Sequence, residues 1–299
     1  MAQFTKPTLS YDDQISLLKE RGLIITDHSK AISYLKEIAY YRLSAYYIPY
    51  EKERHLFQTG TSFEQITTLY EFDCKVRQIL DNALERIELF LRSQISNTLA
   101  MSNDPFAHEN IKLFSSPSEH RRWINKVHED TANSKEIFIR HYKTKYDNFP
   151  TIPIWMVIEI ISLGSLSYLY KNLHKDQQQK ISKEIDLTYL VLEKWLHFFT
   201  YVRNICAHHA RLWNRTMAIS PIIPKSFPPE WARIRNDKLA FAIIVINFLL
   251  RKMPNGEIYS AEWKRELHHL FLSPPSVPHF YESVGFTSRE HFLQILAIQ

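Results

Sequence analysis

The sequence predicts an all-α helical bundle, and three observations carry that expectation. Two long segments, from Ser62 to about Ala100 and from Leu187 past Cys206, repeat apolar residues at the spacing of one helical face. Glycine is scarce, at five residues in 299, whereas a strand-rich fold needs frequent turn residues. The segments open on side chains suited to helix caps, such as Ser10 and the pair Ser62 and Gln65. Hydrophobic residues at 45% and aromatics at 13% let a chain of this length build a sizeable core and exclude a disordered one. The organisation we expect is an N-terminal helical subdomain over 1–60, a helical core over 61–252 and a C-terminal helical extension over 253–299. The core carries a polar insertion at about 103–150.

Ser10 caps a helix from Tyr11 that turns Ile15, Leu17 and Leu18 inward and stops at Gly22. A second helix starts near Asp27, with Ile32, Leu35 and Ile38 on one side. The tyrosines and Arg42 of YYRLSAYYIPY, from Tyr40 to Tyr50, allow two readings. They pack the N-terminal helices onto the main body, or they stack on RNA bases. After the break at Thr59, Gly60 and Thr61, the Ser62 and Gln65 box opens the longest helix. Its core stripe is Leu69, Phe72, Val76, Ile79, Leu80, Ala83, Ile87 and Leu91. Asp73 with Arg77, and Glu88 with Arg92, have the i, i+4 spacing of ion pairs on a solvated face. In the alternative reading an acidic group of this helix holds Arg203 or orients His208 across the bundle.

From Asn103 to Pro153 the chain is polar, basic and histidine-rich, with short helices bounded by Pro105, Pro117 and Pro150. This surface either meets phosphates or is ordinary solvated surface, since acidic residues are interspersed. Pro153 then opens a helix that carries Ile154, Trp155, Val157, Ile158, Ile161, Leu163 and Leu166. It is apolar on several sides and so central; Gly164 and Ser165 let a neighbour approach, and Glu159 needs a partner. The Leu187 helix follows, then an irregular connector at Pro221, Pro224, Pro228 and Pro229, then a buried helix over Leu239 to Leu250. The tail holds an amphipathic segment around Trp263 to Leu272 and a short helix after Ser288.

The formal charge of +5 leans toward an anionic partner without demanding one. Cys74 and Cys206 each sit in an apolar helical pattern and read as reduced core residues. The start lacks the layout of a secretory signal, and the most apolar runs are too short, or carry Glu159, for a bilayer span. A cytoplasmic protein without a membrane partner is the expectation. There is no phosphate-binding glycine loop, no zinc spacing of Cys and His and no nucleophile elbow, so we expect no metal and no cofactor.

The polar run RNICAHHARLWNR, from Arg203 to Arg215, is the densest chemistry in the chain. Ahead of it Leu192, Trp195, Phe199, Val202 and Cys206 form a buried stripe. Asn204, His208, Arg211 and Arg215 continue a polar one. At about 100° per residue, Asn204 and His208 lie roughly 40° apart round a helix, and Arg203 and His208 about 140°. Either Arg203 curls round to His208, or the two act across a subunit interface. On the residues alone the favoured reading is that Asn204, His208 and Arg211 form a buried hydrogen-bond network tying the helix to its neighbours.

An Arg, an Asn and a His five positions after the Arg, late in a helix, resemble the signature of HEPN ribonucleases: here Arg203, Asn204 and His208. In the same order, YYRLSAYYIPY, LYEFDCKVR at Leu69 to Arg77, ERIELFLRS at Glu85 to Ser93, PIWMVIEIISLGSLSYLY at Pro153 to Tyr170 and the polar run are similar to the Abi family. These are AbiD/AbiF-like bacterial abortive-infection proteins, and the resemblance covers roughly residues 10 to 250. It implies a HEPN-type bundle and a phage-defence effector that binds and cleaves RNA without metal, leaving a 2′,3′-cyclic phosphate. His208 would transfer protons, Arg203 would stabilise charge, and Asn204 would hold phosphate or the imidazole. His209, Arg211, Trp213, Asn214, Arg215 and Arg42 would bind RNA, with Trp213 stacking on a base. The resemblance also implies a homodimer with facing motifs and a structured small non-coding RNA as partner. The alternative is a non-catalytic protein that holds such an RNA through the same basic face.

Overall fold

The computed structural model describes residues 3, 5, 7–102, 104–232 and 234–296. Asn103, the expected start of the insertion, lies outside the described residues, as do the expected end points Met1 and Gln299. Among the described residues the fold is all-α apart from one small hairpin. Helix α1 (Tyr11–Glu20) opens on a reciprocal cap, in which the Asp13 N–H donates to Ser10 Oγ at 3.1 Å and Asp13 accepts from the Ser10 N–H. Gly22 turns the chain at φ +88°, where a side chain would be strained. Helix α2 (His28–Ile38), capped by Asp27, packs on α1 through Ala31 and Leu35.

Helix α3 (Tyr40–Ser44) leads into the antiparallel pair β1 (Glu51–Glu53) and β2 (Leu56–Phe57). Strands of three and two residues leave no alternation to detect, and the sequence does not announce them. Tyr46, Tyr47 and Tyr50 are buried, as the packing reading expects, whereas Tyr41 is 90% exposed.

Helix α4 (Phe63–Ser102) is the axis of the molecule: 40 residues, or about 60 Å of rise. Its start is the anticipated box, with the Ser62 N–H donating to Gln65 Oε1 at 2.8 Å and the Gln65 N–H to Ser62 Oγ at 3.3 Å. The expected stripe is buried except for Ile79, which is half-buried. Two further helices of the polar insertion, α5 (Pro117–Asn133) and α6 (Ile137–Lys145), bury Trp123, Ile124, Val127, Ile139 and Tyr142.

The segment after Pro153 is two helices, α7 (Ile154–Ile160) and α8 (Leu163–Asn172), rather than one. Ser162 caps α8 by accepting from the Ser165 N–H at 3.2 Å, and the chain is extended at Ile161. Arg92 reaches from α4 into the gap and donates to the carbonyls of Ile158 and, at 2.8 Å, Ile161. Carbonyls stranded by the break thus gain a cationic donor. Glu159 is exposed and needs no protein partner, which corrects that expectation. Gly164 does permit close approach, because a Cβ there would meet Thr200 Cγ2 at 3.4 Å.

Helix α9 (Lys175–Lys183) connects to α10 (Tyr189–Ala207), which lies against α4 and α8. A short turn, α11 (Pro229–Ala232), interrupts the proline-rich connector. Helix α12 (Leu239–Lys252) is buried on nearly every side and packs on α4 and α13 (Gly256–Leu272). Helices α14 (Phe280–Val284) and α15 (Arg289–Leu296) close the tail, with Phe292 stacked 4.6 Å from Phe271. The Trp263 indole N–H donates to the Ile79 carbonyl at 3.0 Å, so the tail is bonded to the central helix.

Candidate functional site

Thr188 caps α10, whose buried face of Leu192, Trp195, Phe199, Val202 and Cys206 matches the stripe in the sequence. Its far end differs from expectation. The helix stops at Ala207, with His208 as its cap and His209 left-handed at φ +54°. The His209 N–H donates to the Cys206 carbonyl and the Ala210 N–H to the Ile205 carbonyl, each at 3.0 Å. This pair of bonds is a Schellman ending, a place glycine usually takes. The polar stripe therefore does not continue along a helix to Arg215.

What holds the turned-out chain is a buried carboxylate. Asp73, fully buried on α4, accepts from the Leu212 N–H at 3.1 Å, the Trp213 N–H at 2.6 Å and the Tyr46 hydroxyl at 2.6 Å, and pairs with Arg77. Burial above all, and then the Asp73 charge, push the Tyr46 pKa well above its ordinary value, so its hydroxyl stays a donor. Arg77 also donates to the Ala210 carbonyl at 3.4 Å, and Arg42 donates to the His209 carbonyl. Two cations at the carbonyl end of α10 suit its dipole. The solvated-face reading of Asp73 and Arg77 is thereby corrected, since both are buried.

Arg203 is half-buried, with Nε 3.7 Å from the Glu88 carboxylate. Glu88 is in turn gripped by Arg92, whose Nε lies 3.1 Å away. The acidic group that the sequence allowed to hold Arg203 is thus Glu88, and its ion pair with Arg92 is not on a solvated face either. Asp81, two turns earlier on α4, faces the same region. Burial pushes its pKa up, the Arg203 charge opposes this, Glu85 and Glu88 add to the rise and His209 opposes it. Beside it a cavity of about 350 Å³ is lined by Arg77, Asp81, Cys206 and His209, among others. Asp81, Glu85 and Glu88 share one helical face by their spacing, a signal the sequence offered.

Asn204, His208 and His209 are exposed. No hydrogen bond or ion pair among the described residues joins His208 to Arg203, and the imidazole lining the cavity is that of His209. Arg211 is half-buried and donates to the Ala45 carbonyl at 2.8 Å; Arg215 is half-buried and donates to the Arg211 carbonyl at 3.1 Å. Asn214, left-handed at φ +49°, accepts from Lys238 at 3.5 Å. Trp213 is only 1% exposed, so its ring packs in the core and offers no face to a base. Arg42 is exposed. The run therefore forms one turned surface at the end of α10 from which Trp213 is withdrawn.

Among the described residues no helix is long and apolar enough to cross a membrane. Residues 33–214, more than half of the chain, match the family described as Abi-like protein. No curated protein and no solved structure matches the chain. The matched span runs from α2 to the Asp73-clamped turn, and on that match the chain belongs to the Abi-like family, which points to a role in phage abortive infection.

Proposed function

We propose that this Abi-like protein is an abortive-infection effector that binds RNA and cleaves it by metal-independent chemistry at Arg203, Asn204 and His208. The observation that carries the reading is the exposure of Asn204, His208 and His209 at one helix end flanked by Arg42, Arg203, Arg211 and Arg215. A buried structural network would have taken these side chains inside. RNA supplies its own nucleophile, the 2′-hydroxyl, so the protein need only move protons and neutralise the phosphorane oxygens. An exposed imidazole at His208 suits the first task, and a guanidinium at Arg203 the second.

Because no hydrogen bond joins His208 to Arg203 within the described residues and the two stand about 140° apart on an ideal helix, we place the complete site between two copies, each giving its imidazole to the other's arginine. That agrees with the facing motifs implied by the likeness to HEPN ribonucleases. A structured small non-coding RNA bound along Arg42, Arg211 and Arg215 would be the partner that restrains the activity. The test is cleavage of RNA in EDTA by the purified protein and by His208→Ala. Cleavage by the parent and loss of at least about a hundredfold in the variant is the expected result. Equal cleavage by both removes the assignment.

A second reading, a protein that holds RNA without cutting it, is favoured by one feature. Glu88 and Asp81 lie beside Arg203 and compete with a phosphate for its guanidinium. On that reading RNA binding is salt-sensitive and His208→Ala changes nothing.

A further inference from the structure

The insertion carries a cavity unconnected with the arginine and histidine chemistry. It lies where α6 meets the start of α7, has a volume of about 460 Å³, and is walled by the rings of Phe138, His141, Tyr142, Tyr146 and Trp155, with Glu159 on its lining. Tyr142 and Tyr146 lie 4.6 Å apart with planes tilted by 36°, and the Tyr142 hydroxyl is fixed by donating to Asn148 Oδ1 at 2.9 Å. Trp155 is 48% exposed and Tyr146 is 46% exposed, so neither ring is spent on the core. Glu159 stands one turn after Trp155 on the same face of α7. It makes no hydrogen bond or ion pair among the described residues.

We propose that this cavity is a nucleobase site selective for guanine. The physiological ligand, a guanine of bound RNA, rests on the RNA-binding reading above. Aromatic walls with one carboxylate suit two kinds of ligand, an organic cation or a base with N–H donors. The surroundings decide between them. On the cavity's side of α6, one turn after His141, the Lys145 ammonium sits 5.5 Å from the Tyr146 ring. That charge repels a cationic ligand but attracts the phosphate that accompanies a base. A nucleotide therefore satisfies rings, carboxylate and the Lys145 ammonium together, whereas an ammonium ligand satisfies only the first two.

Among the bases, guanine places two parallel donors, N1–H and the exocyclic N2 amino group, on one edge, which matches the two oxygens of a carboxylate. Adenine and cytosine set a lone pair beside their single amino group, and uracil sets carbonyls on both sides of its single N–H. Each would point an acceptor at Glu159.

The test is calorimetric titration of GMP, AMP, CMP and UMP into the full-length protein, into Trp155→Ala, into Glu159→Gln and into His208→Ala. GMP is expected to bind about tenfold or more tightly than the other three. Both Trp155→Ala and Glu159→Gln are expected to weaken it by about tenfold or more, as loss of one stacking ring or one charged acceptor does. Both side chains are exposed, so unchanged melting temperatures confirm folded variants. His208→Ala should keep full GMP affinity, which separates this site from the proposed nuclease site. No RNA cleavage by the parent, or equal cleavage by the parent and His208→Ala, with GMP selectivity retained would sink the nuclease reading alone. Equal affinity for the four nucleotides, indifference to both cavity variants, or tighter binding of tetramethylammonium than of GMP would overturn the guanine site.

Discussion

Asp73 shows how much a single buried side chain can decide. It receives two backbone N–H groups, a tyrosine hydroxyl and a guanidinium at no solvent exposure. Asp73→Ala strands all four donors and leaves Arg77 as an unpaired buried charge, so a loss of about 3–5 kcal/mol is expected in urea unfolding. The i, i+4 spacing of Asp73 and Arg77 was legible in the sequence, but spacing is the same on a wet face and a buried one. What the sequence could not supply was the distant partner, the chain turning back at Leu212. His108 is a second such residue. It is 1% exposed, both ring nitrogens lack hydrogen-bond partners, and the nearby Glu109 is engaged by His128 at 2.7 Å. Burial above all, with His128 and His120 adding to it, lowers its pKa to about 3. The folded chain thus stays unprotonated where the unfolded chain takes up a proton, so the stability present above about pH 6.5 is lost as pH falls toward 3. Between pH 7 and pH 5 the parent should lose about 2 kcal/mol that His108→Phe does not, measured by urea unfolding at both pH values.

Elements with local punctuation are legible in the sequence, and those without it are not. The Ser10 and Ser62 caps fix the starts of α1 and α4 because a cap needs only residues three apart. The end of α10 carries no glycine, and a helix extended to Arg215 was the natural reading of its polar periodicity. His209 instead takes the left-handed position and turns Arg211 and Arg215 off the helix. Likewise the break between α7 and α8 hides in an apolar run, and it depends on Arg92 arriving from another helix to serve the carbonyls of Ile158 and Ile161. Two substitutions probe these ends. His209→Gly relieves the left-handed strain and should raise stability by about 1 kcal/mol in urea unfolding, with the Schellman ending intact. Arg92→Met removes the donor to α7 and the grip on Glu88, and should lower the melting temperature by about 5 °C or more. A drop no larger than that of an exposed arginine would show that solvent serves those carbonyls instead.

At the scale of the molecule, α4 collects the contacts of α7, α10, α12 and α13, so one helix carries Asp73, Asp81 and Glu88 along the flank of the polar run. The all-α architecture was legible because it follows from periodicity. The proposed pairing of His208 with a second chain rests on an angle, about 140° from Arg203 on an ideal helix. That angle has a consequence testable by mixing. If each site takes its imidazole from one copy and its guanidinium from the other, Arg203→Ala and His208→Ala homodimers both lack every complete site. A mixed dimer has one site missing both groups and one site with both. Random exchange makes half of the dimers mixed, each with one of two sites intact. Co-refolded or co-expressed variants should therefore recover about a quarter of the parent's RNA cleavage, although each alone recovers almost none. Sites contained within single chains would recover nothing on mixing, whatever the oligomeric state. A recovery that vanishes on dilution below the dimer dissociation constant would further tie the activity to the two-copy assembly.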